Sequence, residues 1–185
     1  MSVFAEWKAA RERRQRASNY LATLLPDVKH DDSEWFRGLA ANADRGTVAR
    51  ELRLARRAIG LIVAERDALD DRTASDVAHL LADVIRGETR HDTSVGRAWA
   101  ERWRAYSAAL TARGVPEAPA ARLARVLLAA IGIESPSRDV HVRATQWVSA
   151  TRAEANEALR AAFGVASLPE DIKPSALRPE QRTTH

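Results

Sequence analysis

A chain of 185 residues with 45% hydrophobic residues and a net charge of +4 is sized for one domain and too apolar to be wholly disordered. It has no cysteine, which excludes disulfides and cysteine–metal centres and suits a reducing cytoplasm. Its longest strongly apolar stretch, residues 59–64, is too short to span a bilayer, and the opening "MSVFAEWKAARERRQR" lacks the basic-then-apolar order of a secretory signal, so no membrane partner is expected.

Alanine supplies 37 residues and leucine 17, with only 8 glycines and 7 prolines, a mixture that favours closely packed helices. The first helix runs from near Ser2 to Leu25 and stops at Pro26, which cannot continue it. Val3, Trp7, Ala10, Arg14, Ala17, Leu21 and Leu24 recur at spacings of four and three, the pattern of a packed seam. Arg14 within that seam requires either a carboxylate partner or a seam that faces another molecule, because a bare buried guanidinium is too costly. Asp32 or Ser33 then caps a short helix carrying Trp35, Phe36 and Leu39.

A third helix follows Gly46, from about Thr47 to Leu69, with a seam of Val48, Leu52, Ala55, Ile59 and Ile62. "DDRTASDVAHLLADVIRG" makes a fourth, with a Thr73–Asp76 capping box at its start and Gly87 at its end. The fifth spans Ser94 to Arg113 before Gly114, and the sixth Ala120 to Ile131 before Gly132. Ser135 and Pro136 open a long last helix that reaches Phe163 and stops at Gly164. No segment alternates with a period of two. The predicted fold is therefore all-α, a bundle of six to seven helices over residues 1–166, with an extended proline-containing tail over 167–185.

Charge is unevenly distributed. Residues 1–66 carry a net +4, residues 67–92 a net −4 and residues 93–166 a net +4, and 26 of the 29 basic residues are arginine. The stretch "RELRLARRAIGLIVAERD" concentrates this pattern. At 100° per residue Arg50, Arg53, Arg56, Arg57 and Gly60 fall within about 120°, backed by a broad apolar arc. One reading is an open stripe whose guanidinium forks grip successive phosphates, with Gly60 admitting a close approach. The other is a solvated face with local pairs such as Arg53–Asp44.

In "WAERWRAY", Val95, Trp99, Trp103, Tyr106 and Leu110 share a stripe flanked by Arg97, Arg102 and Arg104. Such aromatics stack on bases in some proteins, but helical spacing favours core packing, with Trp147 and Trp35 in the same core. Asp76/His79 and Glu88/His91 have the i, i+3 spacing of carboxylate–histidine metal pairs, yet bridging carboxylates are missing and His79 falls on the face to be buried. No nucleophile, phosphate loop, metal set or cofactor motif is present, so no catalytic residue and no cofactor is expected.

In size, helical class and charge layout over residues 1–166 the chain resembles the small helical subunits of multi-subunit CRISPR effector complexes, without a shared motif. The resemblance implies a non-catalytic subunit that lies along RNA or single-stranded DNA, beside other protein subunits or further copies of itself. "RELRLARR" and "AARLARV" would then touch the nucleic-acid backbone, which nominates Arg50, Arg53, Arg56, Arg57, Arg122 and Arg125, and Arg97 and Arg104 beside the aromatic stripe join them. The alternative is a protein–protein scaffold or assembly factor whose arginines meet acidic partners.

Overall fold

The computed structural model describes residues 3–26, 34–68 and 71–164. They form seven helices and no strand: α1 (Val3–Leu24), α2 (Glu34–Ala40), α3 (Arg45–Asp67), α4 (Asp71–His91), α5 (Thr93–Thr111), α6 (Pro119–Ile131) and α7 (Arg138–Phe163). The expected cap of the second helix and the tail over 167–185 lie outside the described residues.

Local chemistry accounts for most boundaries. The Asp44 side chain accepts from the Thr47 amide at 2.7 Å and starts α3, which places Gly46 inside its first turn. Asp92 caps α5 through the Ser94 amide at 2.9 Å. Pro119 opens α6, and left-handed Gly132 (φ 96°) closes it, with the Ile133 amide returning to the Leu128 carbonyl. For α7 the cap is Ser137, two residues later than expected, its hydroxyl accepting from the Val140 amide.

Two expectations fail in α4. Thr73 is buried in the third helical position and Asp76 pairs with Arg13 of α1 at 2.6 Å, so the capping box is not used. Gly87 does not end the helix, which runs a further turn to His91. That turn carries Glu88 to an ion-pair partner on α3, and Asp92 is the residue that starts the next helix.

α3 is the central helix and packs against every other helix. Its close fit to α1 depends on Gly60. A Cβ there would stand 2.2 Å from Leu24 Cδ1, and the Tyr20 hydroxyl donates to the Gly60 carbonyl at 2.7 Å. Burial pushes the Tyr20 phenol well above its ordinary range, so it stays a neutral donor.

The α1 seam is buried only in its second half, at Ala17, Leu21 and Leu24 together with Tyr20. Every residue from Phe4 to Glu12 is exposed, as is Arg14, so the first half of the helix stands clear of the bundle. The bundle's hold on this part of the helix is the Arg13–Asp76 pair with α4, and before it Trp7 and Ala10 of the seam stay exposed.

Because Leu24 is itself buried, Gly60→Ala should cost about 1–3 kcal/mol of overpacking. Denaturant unfolding measures this. The added Leu24→Ala change should cost less in the G60A background than in the wild type, and strict additivity would overturn the close-contact account.

Candidate functional site

The arginine stripe of α3 is not open. α1 covers it at Gly60, and the Arg57 guanidinium, 3% exposed, forms a two-pronged pair with Glu88 of α4: Nη1 donates to Oε2 at 2.8 Å and Nη2 to Oε1 at 2.7 Å. The Arg57 hydrogen bonds, then the charges of Arg57 and Arg53, hold the Glu88 carboxyl below its ordinary range against the opposing push of burial. Arg56 is half-buried; its Nη2 donates to the Thr23 carbonyl at the end of α1 at 3.0 Å and lies 3.8 Å from Glu154 of α7. Arg50 remains exposed beside α5. Hydrogen bonds from Ser94 first, and then Arg50, keep the Asp92 carboxyl low. Asp44, the expected partner of Arg53, is the α3 cap instead.

The other nominated arginines divide in the same way. Arg122 is 6% exposed, and its guanidinium donates to the carbonyls of Ala109 (2.8 Å), Ala112 (3.0 Å) and Glu117, clipping the loop between α5 and α6. Arg125 is exposed but pairs with Glu117 at 2.7 Å. Arg97 and Arg104 are exposed on α5, two turns apart, and neither guanidinium engages another described residue. Arg57 and Arg122 are thus withdrawn as phosphate contacts: both are consumed inside the fold.

Sequence reasoning missed Glu51. This carboxylate is 1% exposed on α3 and accepts from Arg102 Nε and the Tyr106 hydroxyl, each at 2.8 Å. Its signal was present: on the helical wheel Glu51 falls within about 20° of Ala58 and Ile62, in the middle of the apolar arc. Burial and the neighbouring Glu51 charge raise the Tyr106 phenol far above its ordinary range, fixing it as a donor.

The aromatic stripe of α5 packs as expected, with Tyr106 and Leu110 buried and Trp35 and Trp147 against the same core. Trp99 and Trp103 stack with centroids 5.8 Å apart and stay half-exposed. With Leu61, Glu65, Ala78, Leu81 and Ala82 they line an open groove of about 280 Å³ between α3, α4 and α5. His79 is exposed, contrary to expectation, with Nδ1 2.8 Å from the Ser75 carbonyl. No three His, Asp or Glu side chains converge as metal ligands among the described residues, and no described helix is long and apolar enough to cross a membrane.

The projecting half of α1 carries the two most exposed large hydrophobic side chains among the described residues. Phe4 is 71% and Trp7 57% exposed, their rings 6.2 Å apart, and the Arg11 guanidinium lies 5.6 Å over the Trp7 ring. At 100° per residue Phe4, Trp7, Arg11 and Arg14 fall within about 80°, and Arg14 lies about 20° from Leu21. The seam that is buried at Ala17, Leu21 and Leu24 is thus exposed along the first half of the helix.

Among the described residues these features define an all-α bundle of seven helices with its basic stripe turned inward and an aromatic–basic helix end turned out. Comparison with protein-family models, curated proteins and solved structures finds no match to this chain.

Glu88 has a lowered carboxyl pKa in the fold, so its contribution to stability is complete above its ordinary value of 4.5 and is lost as pH falls through the lower folded value. The unfolding midpoint should therefore drop more steeply below about pH 4.5 in the wild type than in Glu88→Gln. Parallel acid limbs would contradict the pairing. Glu88→Ala, which strands a buried guanidinium, should cost about 3 kcal/mol at neutral pH.

Proposed function

We propose that this chain is a non-catalytic helical subunit of a larger assembly, joined to its neighbours through the projecting half of α1. One observation carries the reading: Phe4 and Trp7 stand exposed on a helix end whose residues from Phe4 to Glu12 are all exposed. Contiguous exposed apolar surface beside charged groups marks interaction sites. Covering a large apolar side chain returns about 1.5–3 kcal/mol, and tryptophan and arginine are the residue types that anchor interfaces. The inward turn of the α3 stripe supports the same reading, since Arg57 and Arg122 are spent on the fold itself.

A second reading, contact with an RNA or single-stranded DNA backbone inside such an assembly, is favoured by Arg97 and Arg104. They lie two turns apart on α5 without a carboxylate partner among the described residues, and Arg50 lies exposed near the start of that helix. Lone cations on one helix face meet phosphates without depending on base sequence.

In extracts of its native cells the chain should run far above the size of a 20.4-kDa monomer, and Phe4→Ser with Trp7→Ser should return it to monomer size. A wild-type chain that runs free would overturn the assembly reading. Nuclease treatment separates the second reading, because loss of the large species would require nucleic acid. For that reading, binding to unrelated single strands should fall steeply with salt, and Arg97→Ala with Arg104→Ala should lower the slope of log K against log salt by about 1.4. An unchanged slope would remove these residues from the contact.

A further inference from the structure

The proposed docking end of α1 and the groove of α3, α4 and α5 are complementary in chemistry. The end offers an indole with a guanidinium already lying over it, Trp7 and Arg11. The groove offers a stacked tryptophan pair, Trp99 and Trp103, and a carboxylate, Glu65, set among Leu61, Ala78 and Ala82. Glu65 has no cation beside it among the described residues, although partial burial already pushes its carboxyl upward. Arg11 has no carboxylate partner among the described residues. The projecting residues Phe4 to Glu12 are net neutral and α4 offers the groove only Ala78, Leu81 and Ala82, so the charge complementarity rests on Arg11 beside Trp7 and Glu65 beside the tryptophan pair.

The helix end cannot fill the groove of its own chain. α1 is fastened to α4 through Arg13 and Asp76, and on the helical wheel Asp76 lies about 160° from Ala78 and about 120° from Ala82, which face the groove. α1 and the groove therefore occupy opposite sides of α4.

We propose that the projecting half of α1 docks into the α3–α4–α5 groove of a second copy of this chain, with Trp7 against Trp99 and Trp103 and Arg11 against Glu65. This deepens the assembly reading, on which it rests, by naming the neighbour. The two surfaces differ, so the contact is head-to-tail. It repeats from copy to copy, closing into a ring or continuing as a filament according to the rotation between neighbours.

The purified chain tests this by sedimentation at concentrations from micromolar to millimolar. Its mass should rise above the monomer with concentration. Trp7, Arg11 and Glu65 are exposed, so their substitution leaves the core intact. Trp7→Ser, Arg11→Glu and Glu65→Arg should each weaken association at least tenfold, and the Arg11→Glu/Glu65→Arg double variant should recover most of it. A wild type that stays monomeric throughout, or a double variant no better than either single one, overturns the proposal. If the purified chain is monomeric while the large native species still depends on Phe4 and Trp7, copy docking fails and the assembly reading stands. If the α1 substitutions alter neither, both fall. Binding of the α1 end to a single-stranded oligonucleotide with no self-association would likewise replace the second copy with nucleic acid.

Discussion

A guanidinium buried in the central helix governs this bundle. α3 packs against every other helix, yet it carries Glu51 and Arg57, both nearly sealed from solvent. Neither can be buried alone, since desolvating a charge costs several kcal/mol unless a partner replaces the water. The partners come from different helices: Glu88 of α4 meets Arg57, while Arg102 and Tyr106 of α5 meet Glu51. These contacts determine where α4 and α5 stand along α3. Alanine-rich helices need such a device. Small side chains pack closely but present shallow ridges, so apolar burial alone distinguishes poorly between neighbouring registers. A fork of two hydrogen bonds tolerates no slip of one turn.

The same constraint explains the alternation of charge along the chain. A net-negative segment between two net-positive ones suggests partners outside the molecule, but much of it is answered within. α4 is held on one side by Arg13 of α1 and on another by Arg57 of α3, and Asp92, at the start of α5, lies within the influence of Arg50. Arg122 carries the principle into a loop, its guanidinium satisfying three carbonyls that the end of α5 and the turn after it would otherwise leave open. Arginine suits these roles because its planar fork stays charged and satisfies several acceptors at once. A high arginine content here measures internal stitching as much as surface charge.

Helix existence was legible in the sequence because period and punctuation are local properties. Asp44 before α3, Gly132 after α6 and the stop near Gly164 all act within one turn. Tertiary partners were not legible. Gly87 has the look of a stop, but the turn beyond it is retained by Glu88 reaching α3. A one-sided arginine stripe looks the same whether water, phosphate or a carboxylate from another helix faces it, and Arg57 shows the last. Glu51 was the readable exception. A carboxylate in the middle of an apolar arc must be paired once the helix is central, so its position predicted a partner even though it did not say which.

The two halves of α1 differ for the same physical reason. The second half is fastened by Tyr20 on the Gly60 carbonyl and by Leu24 in the space that Gly60 leaves, with Arg13 on Asp76 above them. The residues from Phe4 to Glu12 have no such fastening and would be too short to remain helical as a free peptide. They extend a helix already nucleated, so each further residue adds a hydrogen bond without a new initiation cost. The overhang thus arrives ordered, with the Arg11 guanidinium already lying over the Trp7 ring. A partner that covers it does not have to fold it, and more of the apolar gain on docking is left as affinity.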